Sequence, residues 1–395
     1  MGGLLRHHTG ALATTVLLLA ALACLLTGLL PGADAAALLR RVAPVLGFVA
    51  SIAVVAELAR VAGLLEVLGH RLAVLSRGRT LVLWLLTSAL AVVCTAFFSL
   101  DTTAVIMTPV AVMLAQRVGV SPVPFALATV WIANTASLLL PVSNLTNLLA
   151  REMMGGSTGA FLSQSWSPAV VAILVPLGLL AAVHRRELTG SYRLGPAPTI
   201  ADRGLLRIAA GVVLVLLPLL VVVRPVWIPT SVAALVLLGV VAVRRRSAIR
   251  PTLLPWRAIG IALALFMLVA TAHAHGLDSS VLVAADAGHG PAGLLRTSAV
   301  AALSANGIDN LPAFLLLERP VGDDPVSLMA VLIGVNAGPL VTPWASLATL
   351  LWHQRVTELG VRISWGRFMA LGLLAVVVTV PLATLTLAAG EPGML

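Results

Sequence analysis

The sequence predicts an all-α polytopic membrane protein built from inverted structural repeats, each with a re-entrant hairpin and a broken transmembrane helix. Three observations carry that prediction. The 395 residues are 59% hydrophobic and only 10% charged, with a mean hydropathy of +1.06. A soluble domain of this length cannot hide so much apolar surface, so lipid must be its solvent. Residues 134–149 return in altered form at 336–351, with six of sixteen positions identical: Asn134/Asn336, Leu138/Leu340, Pro141/Pro343, Leu145/Leu347, Leu148/Leu350 and Leu149/Leu351. Each copy interrupts an apolar stretch with prolines and small polar residues, and duplicated broken membrane helices mark secondary transporters. The third observation is the placement of charge, since the net +10 comes wholly from arginine and is one-sided along the chain.

Apolar segments fall at about 11–31, 43–59, 80–98, 104–116, 123–150, 161–183, 205–223, 226–243, 257–275, 291–306, 311–318, 327–352 and 366–389. The first follows Arg6 and ends near Ala33-Asp34-Ala35-Ala36, as a signal peptide would. It is nevertheless long enough to span and many spans follow, so it is read as a retained helix. Segment 43–59 crosses back. Beyond it, Leu58, Val61, Leu64, Leu65, Leu68, Leu72 and Leu75 recur at helical spacing with Glu57, Arg60, Arg71 and Arg77 between them. That pattern predicts an amphipathic helix over 57–77 along the cytoplasmic surface. Four segments are too short to cross about 30 Å of hydrocarbon at 1.5 Å per residue. They form two pairs, 80–98 with 104–116 and 291–306 with 311–318, flanking polar breaks at 99–103 and 304–310. Both pairs read as re-entrant hairpins whose tips line a protein-walled cavity, because lipid cannot satisfy a broken backbone.

The expected organisation is a first repeat over 1–183 (hairpin about 80–117, broken helix about 123–150), a cytoplasmic linker over 184–204 and a linking helix over 205–225. A second, inverted repeat runs over 226–395 (hairpin about 290–319, broken helix about 327–352). With the N-terminus in the cytoplasm and the spans alternating, eighteen arginines lie inside, among them Arg71, Arg77, Arg79, Arg185, Arg186, Arg244, Arg245 and Arg246. Five lie outside: Arg40, Arg41, Arg151, Arg224 and Arg319. This is the positive-inside bias of a multi-pass plasma-membrane protein, and it gives the two hairpins opposite orientations. Glu318, Arg319, Asp323 and Asp324 read as a solvated outer loop, and His273 and His275 as solvated groups at the outer interface.

The four interruptions, 99–103, 134–147, 306–312 and 336–349, are expected to converge near the bilayer centre. Broken helices expose positively polarised N-termini and free carbonyls there. The candidate substrate-binding residues are Asn134, Thr135, Ser137, Ser143, Asn144, Asn147, Asn310, Asn336, Thr342, Ser346 and Thr349. They make a hydrogen-bonding pocket with little fixed charge, suited to a small polar solute. A carboxylate at a hairpin tip is costly unless it holds a cation or takes up a proton. Asp101 and Asp309, with Thr102, Thr103 and Glu57, are therefore the candidate proton- or ion-coupling groups. The plainer reading of each aspartate is a helix N-cap, and of Glu57 a pair with Arg60 one turn away. No cofactor and no metal site is implied, since Cys24 and Cys94 are isolated in apolar stretches. No Gly-x-x-x-x-Gly-Lys-Ser/Thr run occurs, so the expectation is a secondary transporter rather than an enzyme.

At these breaks the chain resembles the arsenite efflux permeases of the ion transporter superfamily. The resemblance rests on Leu100-Asp101-Thr102-Thr103-Ala104-Val105-Ile106-Met107-Thr108-Pro109, Ala133-Asn134-Thr135-Ala136-Ser137-Leu138 and Val142-Ser143-Asn144-Leu145-Thr146-Asn147 in the first half. In the second half it rests on Asn310-Leu311-Pro312 and on the run from Ile333 to Trp352, whose Thr342-Pro343-x-x-Ser346-Leu347-Ala348-Thr349-Leu350-Leu351-Trp352 is the most specific part. It covers most of the chain. It implies export of arsenite and antimonite as neutral hydroxides in exchange for protons, and in some systems a soluble arsenite-stimulated ATPase at the cytoplasmic face. The sequence leaves a homodimer open, and nucleic acid is no partner. Two departures stand out: Leu100 precedes Asp101 where the family pattern has Asn-Asp, and Asp309-Asn310 replaces two asparagines. The added carboxyl bears on which ion is coupled. A sodium/proton antiporter or sodium-coupled anion transporter of the same superfamily is the alternative, because hard oxygen ligands also suit Na⁺. An intramembrane aspartyl protease using Asp101 and Asp309 would need no duplicated halves.

Overall fold

Backbone polar groups buried in lipid must be satisfied within their own segment, which leaves the helix as the default element for an apolar chain. The computed structural model describes residues 15–276 and 290–390 except 195, 196, 198 and 224. Residues 11–14 of the first expected span, and Arg224 of the expected outer group, lie outside the described residues. The first half comprises α1 (Thr15–Leu26), α2 (Gly32–Val61), α3 (Leu64–Leu75), α4 (Thr80–Phe98), α5 (Leu100–Arg117), α6 (Val123–Thr135), α7 (Leu145–Met153) and α8 (Thr158–Val183). A short α9 (Arg185–Leu188), then α10 (Arg203–Val222) and α11 (Trp227–Arg244), connect to the second half. There follow α12 (Trp256–Ala274), α13 (Pro291–Ile308), α14 (Asn310–Val321), α15 (Pro325–Ala337), α16 (Leu347–Glu358) and α17 (Trp365–Ala389). Six of these, α2, α4, α8, α10, α11 and α17, are long and apolar enough to cross a membrane. Among the described residues the one β feature is an isolated bridge between Arg79 and Ser191.

The amphipathic stretch expected over 57–77 is divided. Residues 57–61 complete α2, the chain turns at Gly63 with φ +83°, and α3 then buries Leu65, Gly69 and Ala73. The hairpin breaks are tighter than the sequence suggests. Helices α4 and α5 are separated by Ser99 alone (φ 81°, ψ 159°), and α13 and α14 by Asp309 alone (φ 93°, ψ 153°). Non-glycine residues rarely adopt this backbone region, which costs on the order of 1–3 kcal/mol each. The same conformation at both hairpins shows that Ser99 corresponds to Asp309, so Asp101, one residue inside α5, has Leu311 as its counterpart.

A proline follows each broken helix, Pro339 two residues after α15 and Pro141 six residues after α6, and neither helix resumes its α-helical course across it. After α6 come two 3₁₀ turns, Ala136–Leu139 and Pro141–Ser143, then extended Asn144 opens α7. After α15 the chain is irregular through Pro343 until extended Ser346 opens α16. The second arm of each hairpin rests on the post-break helix of the other half: α5 on α16, and α14 on α7. Helices α13 and α15 approach closely because Gly334 and Gly338 carry no side chain. A Cβ at Gly334 would strike the Ala301 side chain and the Ser298 carbonyl. Helices α2, α10 and α11 form a separate apolar cluster through residues such as Phe48, Ile52, Leu58, Leu216 and Leu237.

Candidate functional site

The two broken helices meet through one side chain. Asn336, at the end of α15, donates through Nδ2 to the Leu332 carbonyl (2.9 Å) and to Asn147 Oδ1 (3.0 Å). Its Oδ1 accepts from Ser137 Oγ (2.8 Å) and from the Asn144 amide. Asn147 donates in turn to the carbonyls of Ser137 (2.6 Å) and Leu140 (3.2 Å), so it holds the irregular segment closed behind the network. Ser143 bonds the same two carbonyls, Ser137 and Leu140. Asn144 caps α7 by accepting from the Thr146 amide at 3.4 Å. All these side chains are buried. Four of the expected site residues, Ser137, Asn144, Asn147 and Asn336, are therefore joined directly, while Ser143 supports them through the backbone.

The equivalent position in the first half behaves differently. Asn134 donates to the Val130 carbonyl at 2.9 Å, as Asn336 does to Leu332, but its Oδ1 is buried without a partner. The same holds for the hydroxyls of Thr103, Thr135, Ser346 and Thr349. These five groups sit on α5, α6 and the start of α16, three helices that pack on one another. Buried polar groups are nearly always hydrogen-bonded, so a set of unpaired ones on neighbouring helices marks this region as the candidate site.

The hairpin tips flank this region. Asp101 and Asp309 are both half-buried. Asp309 Oδ1 accepts the Leu311 amide at 3.1 Å, which is the N-cap role. At the other tip Ser99 performs that role: its Oγ accepts the Thr102 amide at 3.5 Å and donates to Thr102 Oγ1 at 3.1 Å. Asp101 is thereby relieved of capping. Below the tips a cavity of about 20 Å³ is lined by Thr102, Thr103, Phe98, Ile106 and Met107.

Three expected residues do other work. The Thr342 amide donates to Asn306 Oδ1 (3.0 Å) and its hydroxyl to the Asn306 carbonyl (2.8 Å), while Asn306 Nδ2 reaches the Gly338 carbonyl (2.8 Å). That staple fixes the second hairpin to the second break. The Asn310 amide donates to the Ala345 carbonyl at 3.0 Å across the same junction. Glu57 is ion-paired with Arg60 (2.8 Å to Nε), on the wall of a cavity of about 640 Å³ that Glu66, Arg117, Asp202 and Arg245 also line. It faces the arginine-rich side expected to be cytoplasmic, away from the breaks.

Several outer groups also depart from expectation. Glu318 is only 3% exposed and takes both nitrogens of Arg41, at 2.9 and 2.8 Å, instead of lying in a solvated loop. Asp324 caps α15 by accepting the Ser327 amide at 2.8 Å. His273 is buried, and only His275 is exposed, with its ring nitrogen 3.0 Å from the Leu29 carbonyl. Arg151, counted from the sequence only among the outer arginines and not as a site residue, is buried in the last turn of α7. It stands four residues after Asn147 and seven after Asn144, which is one face of a helix.

Similarity to known proteins agrees with this architecture. Residues 8–321 match the family described as citrate transporter, CitMHS. The arsenical pump membrane protein of Escherichia coli K12 is 31% identical over 337 residues, covering 79% of this chain and 77% of that protein. That of Yersinia enterocolitica is 30% identical over 339 residues with the same coverage, 79% and 77%. Among solved structures, the Alcanivorax borkumensis YdaH transporter superposes with a TM-score of 0.58 at 17% identity, covering 93% of this chain and 88% of that one. At that identity the likeness concerns the fold.

Proposed function

This chain belongs to the citrate transporter (CitMHS) family, alongside the arsenical pump membrane proteins, and on that premise we propose that it exports trivalent metalloid hydroxides, arsenite and antimonite, in exchange for protons. The observation that carries the reading is the set of buried, uncharged hydrogen-bonding atoms left unpaired beside the meeting point of the two breaks: Asn134 Oδ1 and the hydroxyls of Thr103, Thr135, Ser346 and Thr349. A neutral trihydroxide both donates and accepts, so it can satisfy amide and hydroxyl groups together. It also enters without an ionic desolvation cost. Cys94 lines the small cavity beside Thr103, but it is a single thiol, with Cys24 on a different helix, and so does not make the cluster of sulfurs that would trap a trivalent metalloid.

In this reading residues 1–183 and 226–395 are inverted repeats, with 184–204 and 205–225 linking them, and they rock about the shared site by alternating access. The N-terminus lies in the cytoplasm of a cell with this protein in its plasma membrane. Asp101 carries the exchanged proton, because it sits at a tip with its helix already capped by Ser99. Thr102 and Thr103 border that carboxyl, while Glu57 stays with Arg60 at the cavity mouth. A cytoplasmic arsenite-stimulated ATPase and a second copy of the chain are the partners this reading admits.

The second reading, sodium linkage, is favoured by an aspartate at or beside each hairpin joint, since hard oxygen ligands suit Na⁺. Uptake of arsenite into everted vesicles, driven by an imposed proton gradient with and without Na⁺, separates the two. Uptake that collapses with the gradient, ignores Na⁺ and is lost in Asp101→Asn is expected. A requirement for Na⁺ would move the protein to the sodium-linked reading.

A further inference from the structure

We propose that Arg151 is a cargo-binding residue which gives the site its preference for oxygen-rich solutes without positive charge; the proposal rests on the transport reading above. Arg151 is 6% exposed, and its Nη2 meets the neighbouring Glu152 carboxylate. Its Nε and Nη1 are buried and have no hydrogen-bond partner. A basic side chain in the last turn of a helix commonly satisfies the free terminal carbonyls. Here those carbonyls are taken by the backbone: Met154 donates to Ala150 (2.9 Å) and Gly156 to Arg151 (2.8 Å). The guanidinium is not a helix cap.

Its direction is set by the helix. Asn144, Asn147 and Arg151 share one face of α7, and Arg151 lies one turn, about 6 Å, beyond Asn147. The Cα–Cβ bond of a helical residue tilts toward the N-terminus, here toward the turn of Asn147 and the break, while the Nη2 end turns to Glu152. A buried guanidinium with idle donors is among the costlier things a fold can hold. The cost is offset when the missing acceptors arrive with the solute. In the repeated register of 134–149 on 336–351, the counterpart of Arg151 is His353, whose ring stacks on Trp365 at 4.0 Å. The matching place in the other half therefore carries a stacked imidazole instead of a second guanidinium. Arginine keeps its charge at all working pH values and donates in several directions, which suits the oxygens of a hydroxide or its singly charged oxyanion. It opposes a bare metal cation, which favours proton over sodium exchange.

The test is the arsenite concentration dependence of gradient-driven uptake for the wild type, Arg151→Gln and Arg151→Lys, with membrane levels measured alongside. A second readout is the shift in melting temperature on adding arsenite to each purified protein. Arg151→Gln is expected to raise KM tenfold or more and to lose the arsenite-induced shift; Arg151→Lys, which keeps the charge but not Nε, falls between. Should Arg151→Gln fail to insert, Arg151→Lys decides by the same KM and melting criteria. Wild-type uptake with KM and melting shift unchanged in the variants overturns the role of Arg151 alone. A wild type that neither accumulates arsenite nor is stabilised by it overturns both readings.

Discussion

At the residue scale, the paired asparagines have parted ways. Both Asn134 and Asn336 bond back to the carbonyl four residues earlier, at 2.9 Å. Only Asn336 finds acceptor and donor partners across the break, because Ser137 supplies a hydroxyl where the second half has Pro339, and Asn144 an amide where it has Ser346. The duplication in the sequence locates both asparagines but treats them as equals; the difference lies in which neighbours the irregular segments bring within reach. Two substitutions should separate their roles. Asn336→Ala leaves Asn144, Asn147 and Ser137 short of partners at about 1–3 kcal/mol per buried group, so both the melting temperature and uptake should fall. Asn134→Ala removes one back-bond and an idle oxygen, so melting should change by about 1 kcal/mol or less while arsenite uptake is lost. A thermal melt in detergent and a vesicle assay on the same preparations check both; equal destabilisation by the two would contradict this division of labour.

The turns between α4 and α5 and between α13 and α14, at the scale of elements, were legible from their polar breaks but not from length, since Thr80–Phe98, expected to be too short to span, is long and apolar enough to cross a membrane. The single-residue joints were not, because serine and aspartate at positive φ leave no compositional trace. The counterpart relation of Ser99 with Asp309, which unpairs the two aspartates, is visible only in the dihedral angles. Gly334 and Gly338 likewise read as ordinary residues of an apolar run, although they set how closely α15 lies on α13. Gly334→Ala places a methyl against the Ala301 side chain and the Ser298 carbonyl, and overpacking of this kind costs typically 1–3 kcal/mol. A lowered melting temperature is the expected outcome. Gly307→Ala, where a Cβ meets nothing within 4 Å, is the control and should leave it unchanged.

For the whole molecule, the spans follow from hydropathy, but the contact that pins α2 to α14 does not. Arg41 and Glu318 are 277 residues apart, and nothing local to either predicts the other. Along α2 this latch and the wall of the 640 Å³ cavity at Glu57–Val61 lie at opposite ends, roughly 24–30 Å apart at 1.5 Å per residue. In the transport reading proposed above, alternating access would require this pair to part. Arg41→Ala strands the buried Glu318 carboxylate, at about 3–5 kcal/mol. Replacing both, Arg41→Met with Glu318→Leu, removes the charge as well and should recover most of the melting temperature. A double substitution no more stable than Arg41→Ala would show that the pair is not what destabilises the single variant.

The dependence of the first break on Asn336 also bears on biosynthesis. Asn147 enters the membrane 189 residues before its partner is made. At 5–20 residues per second that interval is roughly 10–40 s. Throughout it, the amides and hydroxyl that will close the first break have only each other, the backbone or water for company. The nascent first half is therefore an open vessel, and insertion of α15 is the event that seals it. A gene fragment ending before residue 336 encodes something other than a smaller transporter.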